Sequence, residues 1–398
     1  MHGDNKVSED NYLGNLYQRF PINISKGKGS LVWDVSGKEY IDCMGGYGVA
    51  IIGHCNDRVV NAIKNQSEKL ITCHMSIYNN TRLEFLEKIS KISPKKLSKV
   101  FFSNSGAEST ESALKFSRKF TGKSGVIAMT GGYHGKTFGA LSVTHNEKYR
   151  KSFQPLLEGV KFVPYSNPSK IEESLDNSIG TVIVEPIQGE TGIIVPSDGT
   201  LQQIRKICDQ NNLVLIFDEI QTGLGRTGRM WAGEHWSTTP DIMCLAKGIA
   251  GGLPMGLTLC KPEILDAMKV GEHSSTFAGN PLSCSAGIAT IESIIEENLV
   301  ENAAKIGNIF KNGLFQLKEN HRIVRDVRGL GLMLALELRF DVKDVLFEGI
   351  KEGLLMLYSG RNIIRLLPPL VLDEAKVAKT LSIMDKLLTN EEERRDVK

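Results

Sequence analysis

The chain has 398 residues, 41% of them hydrophobic and 24% charged, proportions of a folded globular protein that exclude a disordered, collagen-like or fibrous chain. Its 48 Lys and Arg against 46 Asp and Glu leave a formal charge of +2, so no basic or acidic excess points to nucleic acid or to an anionic membrane surface. At roughly 150 residues per domain, the length suggests two or three structural units.

The segment Met1 to Asp10 is polar and lacks the apolar centre of a signal peptide, and no run reaches the ~18 apolar residues of a membrane span. Seven cysteines lie far apart without a C-x-x-C pair, so they read as reduced thiols with no metal site. A cytoplasmic protein is expected.

Taken in chain order, Leu31 to Asp34, the turn Ser36-Gly37-Lys38 and Glu39 to Asp42 predict a β-hairpin. From about residue 60 to 285, helical stretches alternate with short apolar runs at Val100–Phe102, Gly125–Met129, Thr181–Val184, Leu213–Phe217 and Ile242–Ala246. Runs apolar throughout suit strands covered on both faces, which predicts a mainly parallel α/β sheet. Beyond residue 285 come one long helix from Ile288 to Leu317, strands at Leu332–Leu336 and Asn362–Leu366, a helix from Asp373, and a charged tail from Glu391. No linker separates these parts. The expected organisation is an N-terminal segment of a small domain (1–60), a large domain (61–285) and a C-terminal small α+β domain (286–398), so the small domain is drawn from both ends of the chain.

Ligands of open α/β sheets bind beyond the carboxyl ends of the strands. After Val100–Phe102 comes Asn104-Ser105-Gly106-Ala107-Glu108, a capping-box pair whose small residues leave backbone N–H groups open to a phosphate, although an ordinary helix cap reads equally well. After Leu213–Phe217 comes Asp218, which either caps a helix or neutralises a cationic ligand. After Ile242–Ala246 comes Lys247 in a glycine-rich turn, where desolvation would lower its pKa toward that of a nucleophilic amine. Phosphate cradle, acid and lysine together match pyridoxal 5′-phosphate: the lysine forms the Schiff base and moves the proton, the acid holds the pyridine nitrogen protonated, and the helix N-terminus binds the phosphate.

Two other motifs compete. Gly223-Leu224-Gly225-Arg226-Thr227-Gly228 fits the dinucleotide pattern G-x-G-x-x-G and raises a nicotinamide-dependent dehydrogenase, but it does not follow its strand directly and no helical period follows it. Gly131 to Thr137 resembles a P-loop yet has Thr130 where the motif needs its first glycine. A scaffold without activity is a third reading, disfavoured by the joint presence of Lys247 and Asp218.

At these residues the sequence closely resembles the class III pyridoxal-phosphate aminotransferases of fold type I, from about Leu16 to Met384. The resemblance rests on Asn104 to Glu108, Glu185-Pro186-Ile187-Gln188-Gly189-Glu190, Asp218 to Gly223, Lys247 with its glycines, Ser275-Thr276-Phe277-Ala278-Gly279-Asn280-Pro281 and Ile364 to Pro369. It implies that Lys247 carries the cofactor and Asp218 pairs with the pyridinium nitrogen, while Gln221 touches the ring's 3′-oxygen and Tyr133 stacks on its face. It further implies that Ser105, Gly106 and Ala107 hold the phosphate with Thr276 of a neighbouring subunit, making a homodimer part of the site. A Glu190/Arg365 pair implies ω-amino donors and 2-oxoglutarate or glutamate, since the glutamate covers the arginine for one half-reaction and releases it for the other.

The overall wording is most similar to the acetylornithine and acetyl-lysine aminotransferases of arginine and lysine biosynthesis, some of which act on substrates linked to an amino-group carrier protein. Lys136 stands where such enzymes usually carry an arginine for the substrate α-carboxylate, and a lysine lacks the bidentate fork. Gly46-Tyr47-Gly48 and Tyr78-Asn79-Asn80 resemble ornithine aminotransferases, in which a tyrosine at the position of Tyr47 lies near the substrate, so free ornithine stays in play, as do 4-aminobutyrate and putrescine, whose enzymes share much of the motif set.

Overall fold

The computed structural model describes residues 9–396. The strands are β1 Ile24–Lys28, β2 Leu31–Asp34, β3 Glu39–Asp42, β4 Lys99–Ser103, β5 Gly125–Met129, β6 Val160–Val163, β7 Ile179–Val184, β8 Val214–Asp218, β9 Ile242–Leu245 and β10 Gly256–Cys260. They continue with β11 Val324–Leu330, β12 Met333–Leu338, β13 Leu354–Leu355, β14 Leu357–Ser359 and β15 Ile363–Leu366.

The central sheet has the order β4-β10-β9-β8-β7-β5-β6. Its strands β6, β5, β7, β8 and β9 pair in parallel, and only β10 runs against its neighbours β9 and β4. All six residues of β7 and all five of β8 are buried, which is why those segments read as unbroken apolar runs. The mainly parallel α/β architecture expected from the sequence is therefore present. Its carboxyl ends gather the segments after β4, β5, β7, β8 and β9 at one edge.

Two smaller sheets flank this one. The first has the order β1-β2-β3-β13 and joins the predicted hairpin to a parallel strand from the last fifth of the chain, with Ile41 opposite Leu354. The second is antiparallel with the order β11-β12-β15-β14, and Arg365 sits between Ala335 and Leu357 of the strands beside it.

The helix Gly106–Thr121 shows how local signals position a site. Ser105 caps it by accepting the Glu108 N–H at 3.2 Å, and Gly122, at φ 67°, ends it in the left-handed conformation. Ala113, Leu114 and Phe116 are buried against the sheet; burying a phenylalanine contributes roughly 1.5–3 kcal/mol. Phe120, four residues beyond Phe116, is 44% exposed.

Other expectations are corrected. The single helix expected from Ile288 to Leu317 is two, Pro281–Glu296 and Leu299–Asn320, broken at Asn298 with φ 51°. Apolar residues on both sides of the break, Ile294, Ile295, Leu299 and Val300, hide it from a periodicity argument. The tail expected from Glu391 is instead the end of the helix Glu374–Arg394, because Glu391 is buried and accepts from Arg394 at 2.7 Å and from Arg395 at 2.5 Å. Strands β6 and β10 were not anticipated: β6 is a four-residue edge strand interrupted by Lys161, and β10 begins at a glycine. Cys43, Cys208, Cys244, Cys260 and Cys284 are free and buried, as core thiols would be.

Candidate active site

Asp218 ends β8 and is 4% exposed. Its Oδ2 lies 2.7 Å from Nδ1 of the buried His134, and its Oδ1 accepts the Ile220 N–H at 3.1 Å. A carboxylate has no proton to give, so the Nδ1–H of His134 donates. Burial pulls the His134 pKa down, but the hydrogen bond and charge of Asp218, with Glu185, carry it above the ordinary histidine value. The other ring nitrogen, Nε2, is buried without a protein partner.

Glu185 follows β7 and accepts the N–H groups of Tyr133 at 2.8 Å and Gly189 at 3.0 Å. Burial pushes its pKa up to about 7; His134 opposes that rise and Asp218 adds to it. This carboxylate ties the loops after β5 and β7 together, a role its position inside a longer motif did not disclose.

Lys247 follows β9 by two residues and holds φ 47°, a conformation costing a non-glycine residue of order 1 kcal/mol or more. Its amine is pushed down to about 8 by burial, against the opposing charge of Asp218. The strand and the strained turn thus present a weakly basic amine toward the carboxylate that ends the neighbouring strand.

The first N–H groups of a helix have no acceptor within it. Ser105 takes that of Glu108, and those of Gly106 and Ala107 remain at the open end of the helix. A Cβ at Gly106 would come within 2.9 Å of the Ile220 side-chain end, so this loop packs closely on the one after Asp218 and a larger residue would push that isoleucine aside. Gln221 lies on that second loop with its Oε1 buried and unpartnered. Thr276 is exposed at the surface; its neighbour Ser275 accepts from Asn104 Nδ2 at 2.9 Å, which joins this loop to the helix cap.

Arg365 and Glu190 form the far wall. Arg365 is 1% exposed, and its Nη1 meets Glu190 Oε2 at 3.1 Å and the Gly189 carbonyl at 3.0 Å. The second Glu190 oxygen accepts from the Tyr149 hydroxyl at 3.3 Å. Tyr149 meets Tyr133 edge to face at 6.0 Å, and the Lys136 ammonium lies 4.5 Å over the Tyr149 ring. Tyr47 stands in a turn in which Gly45, Gly46, Tyr47 and Gly48 all have positive φ, and Asp42 Oδ1 secures its start by accepting from Met44 and Gly45. Burial raises the Tyr47 pKa, and Tyr358, Arg365 and Glu190 are close enough to act on it as well.

The glycine run 223–228 is a series of turns, followed only by a short 3-10 helix at Ala232–Trp236 and not by the α-helix a dinucleotide motif opens. Its Arg226 is fully buried and donates through Nη1 to the carbonyls of Leu332 and Pro368, a structural fastening that disposes of the dinucleotide reading.

A family model described as aminotransferase class-III matches residues 12–388. The chain belongs to the class-III aminotransferases. An acetylornithine aminotransferase of Methanopyrus kandleri is 44% identical over 94% of this chain and 96% of its own length. A second, from Caldanaerobacter subterraneus, is 41% identical over 96% and 98%. Among solved structures, an ornithine aminotransferase of Toxoplasma gondii superposes with TM-score 0.94 at 31% identity, covering 98% of this chain and 96% of that one. An acetylornithine aminotransferase of Elizabethkingia anophelis gives TM-score 0.86 at 32% identity, covering 97% and 98%.

The aminotransferase is thus a pyridoxal-phosphate-dependent transaminase, and the site's own chemistry fits that cofactor. A buried carboxylate fixed by a histidine suits a protonated pyridine nitrogen, an open helix end suits a phosphate, and the Gln221 amide, three residues after Asp218, keeps a buried oxygen without a partner. Bound there, the cofactor supplies the electron sink that amino-group transfer needs.

Proposed function

We propose that this aminotransferase moves the δ-amino group of N2-acetylornithine, or the ε-amino group of a similarly blocked lysine, to 2-oxoglutarate, yielding the semialdehyde and glutamate. The observation that carries this reading is the Arg365–Glu190 ion pair at 3.1 Å, on the wall of the site that holds Lys247 and Asp218. A buried guanidinium covered by a partly exposed carboxylate presents a neutral wall to an amino donor and a cation to a dicarboxylate once the cover moves.

In this reading Asp218, held by His134, keeps the proton on the pyridine nitrogen. Lys247 would hold the cofactor, and its amine would carry the proton that amino-group transfer has to move. The N–H groups of Gly106 and Ala107, with the Ser105 hydroxyl, hold the phosphate, Gln221 contacts the 3′-oxygen and Tyr133 covers the ring. Lys136 supplies the positive charge for the donor's α-carboxylate, and Tyr47 borders the donor's chain.

The enzyme acts as a cytoplasmic homodimer in which Thr276 completes the neighbouring phosphate site, and its exposure on a single chain beside the 68% exposed Phe277 supports that role. Residues 61–285 form the large domain, while 1–60 and 286–398 form a small one, supported by the pairing of β3 with β13. An amino-group carrier protein is the delivering partner if the blocking group is the carrier itself.

A second reading, free ornithine as donor, is favoured by Tyr47 and by the likeness to ornithine aminotransferase structures. Single-turnover absorbance separates the two. Loss of the cofactor band with N2-acetylornithine and its return with 2-oxoglutarate establish the first reading; loss with ornithine alone establishes the second. A band untouched by either leaves the carrier-linked donor, and a protein that forms no band overturns the assignment of Lys247.

A further inference from the structure

Glu190 is anchored at its backbone and loose at its head. The Gly189 carbonyl accepts from Arg365, and the Glu190 carbonyl accepts from the Ser359 hydroxyl, so uncovering Arg365 requires only the glutamate side chain to turn. In the covered arrangement that carboxylate has two partners, the Arg365 guanidinium and the Tyr149 hydroxyl. Arg365 also keeps a buried Nε with no acceptor, a donor that an incoming carboxylate would satisfy and that Glu190 does not.

Tyr149 is well placed to hold the head. Its ring is fixed edge-on against Tyr133, and the Lys136 ammonium on its face draws electron density from the ring, making the phenol a stronger donor. It comes from the short helix Glu147–Arg150, outside every strand end, where no sequence pattern marks it as part of a site.

We propose that Tyr149 is a specificity-determining residue: its phenol holds the Glu190 carboxylate over Arg365 and thereby sets how readily the arginine is released to the second carboxylate of a dicarboxylic acceptor. This rests on the dicarboxylate reading given above. With the phenol present, the covered arrangement is favoured, which suits a cationic amino donor. Without it Glu190 leaves Arg365 more easily, so a dicarboxylate binds more readily and an amino donor meets an uncovered like charge.

The test uses the cofactor-loaded full-length enzyme and glutarate, a five-carbon dicarboxylate that cannot accept an amino group. Calorimetry should show that Tyr149→Phe binds glutarate about three- to tenfold more tightly, the size expected for losing one ordinary hydrogen bond, as the long 3.3 Å contact to a partly exposed carboxylate implies. Its rate constant for the amino-donor half-reaction should fall by a similar factor. In a Glu190→Ala background the same substitution should leave glutarate affinity unchanged, because the carboxylate it acts on is gone. Unaltered glutarate binding in Tyr149→Phe overturns the proposal, and so does an equal gain in both backgrounds, which would mean that the phenol acts elsewhere. Should the wild-type enzyme lose its cofactor band to an amino donor but fail to recover it with 2-oxoglutarate, the dicarboxylate reading falls and takes the proposal with it.

Discussion

Asp218 Oδ2 and His134 Nδ1 lie 2.7 Å apart in a pocket that excludes water from both side chains. The histidine thus orients the carboxylate proposed above to pair with the cofactor's pyridine nitrogen. Replacing Asp218 with Asn should reduce kcat by about 10²–10⁴-fold, the usual worth of a positioned acid or base. His134→Asn leaves the carboxylate in place and should cost less, about 1.5–3 kcal/mol for a lost charged hydrogen bond, or roughly 10- to 100-fold in rate. Equal losses in the two variants would show that His134 does more than orient.

The amine of Lys247 predicts a definite pH dependence. Its pKa is about 8 in the folded protein against 10.5 when exposed, so between these values the unfolded chain binds more protons and stability rises with pH. In the cofactor-free enzyme, Lys247→Met should therefore be more stable than wild type at pH 7, by a margin that shrinks as pH rises through 8 toward 10.5. Thermal unfolding followed by circular dichroism at several pH values measures this. A margin constant with pH would contradict the depressed value.

Glu185 predicts the opposite slope. Burial raises its pKa to about 7, so between 4.5 and 7 the folded chain holds the extra proton and stability falls as pH rises. Glu185→Gln should flatten stability over that window, and denaturant unfolding at pH 5 and pH 7.5 compares the two slopes directly.

Tyr47 occupies φ 61° and is 47% exposed, a strained backbone offset by a side chain only half buried. Tyr47→Gly should stabilise the fold by about 1 kcal/mol while raising KM for the amino donor. A gain in stability together with a higher KM would mark this turn as a place where strain serves binding; an unchanged KM would remove Tyr47 from the donor site.

His273 fastens the loop that carries Thr276. Its Nε2 meets the Ser112 hydroxyl at 2.9 Å, and its Nδ1 meets the Lys115 amine at 2.9 Å, both on the helix whose first turn is the proposed phosphate cradle. Because Ser112 already donates to the Glu108 carbonyl and an ammonium can only donate, His273 is neutral with its proton on Nε2. His273→Phe keeps the stacking on Phe101 but removes both bonds. Hydrogen exchange at residues 270–276 should accelerate by about tenfold or more, and cofactor affinity should fall with it.

Much of this was legible in the sequence because buried parallel strands announce themselves as apolar runs, and the residues that follow them form the site. Asp218, Lys247 and Ser105 could be found in that way. His134, Tyr149 and His273 could not: each acts through a partner distant in sequence, Asp218 across 84 positions, Glu190 across 41 and Ser112 across 161. The break at Asn298 was hidden for a different reason, since both flanking helices are apolar enough to keep the period running. The edge strand β6 lacks a second buried face and so lacks the signal that marks its neighbours.

The parallel pairing of Ile41 with Leu354 also sets a delay during synthesis. Roughly three hundred residues must be added before the strand that covers β3 exists, which at ~5–20 residues per second takes on the order of 15–60 s. Through that interval the hairpin has two open edges. Lys26 and Lys28 on β1 guard one of them with charge, and β3, whose Tyr40, Ile41 and Asp42 all end up buried, leaves the other to whatever shelters the emerging chain.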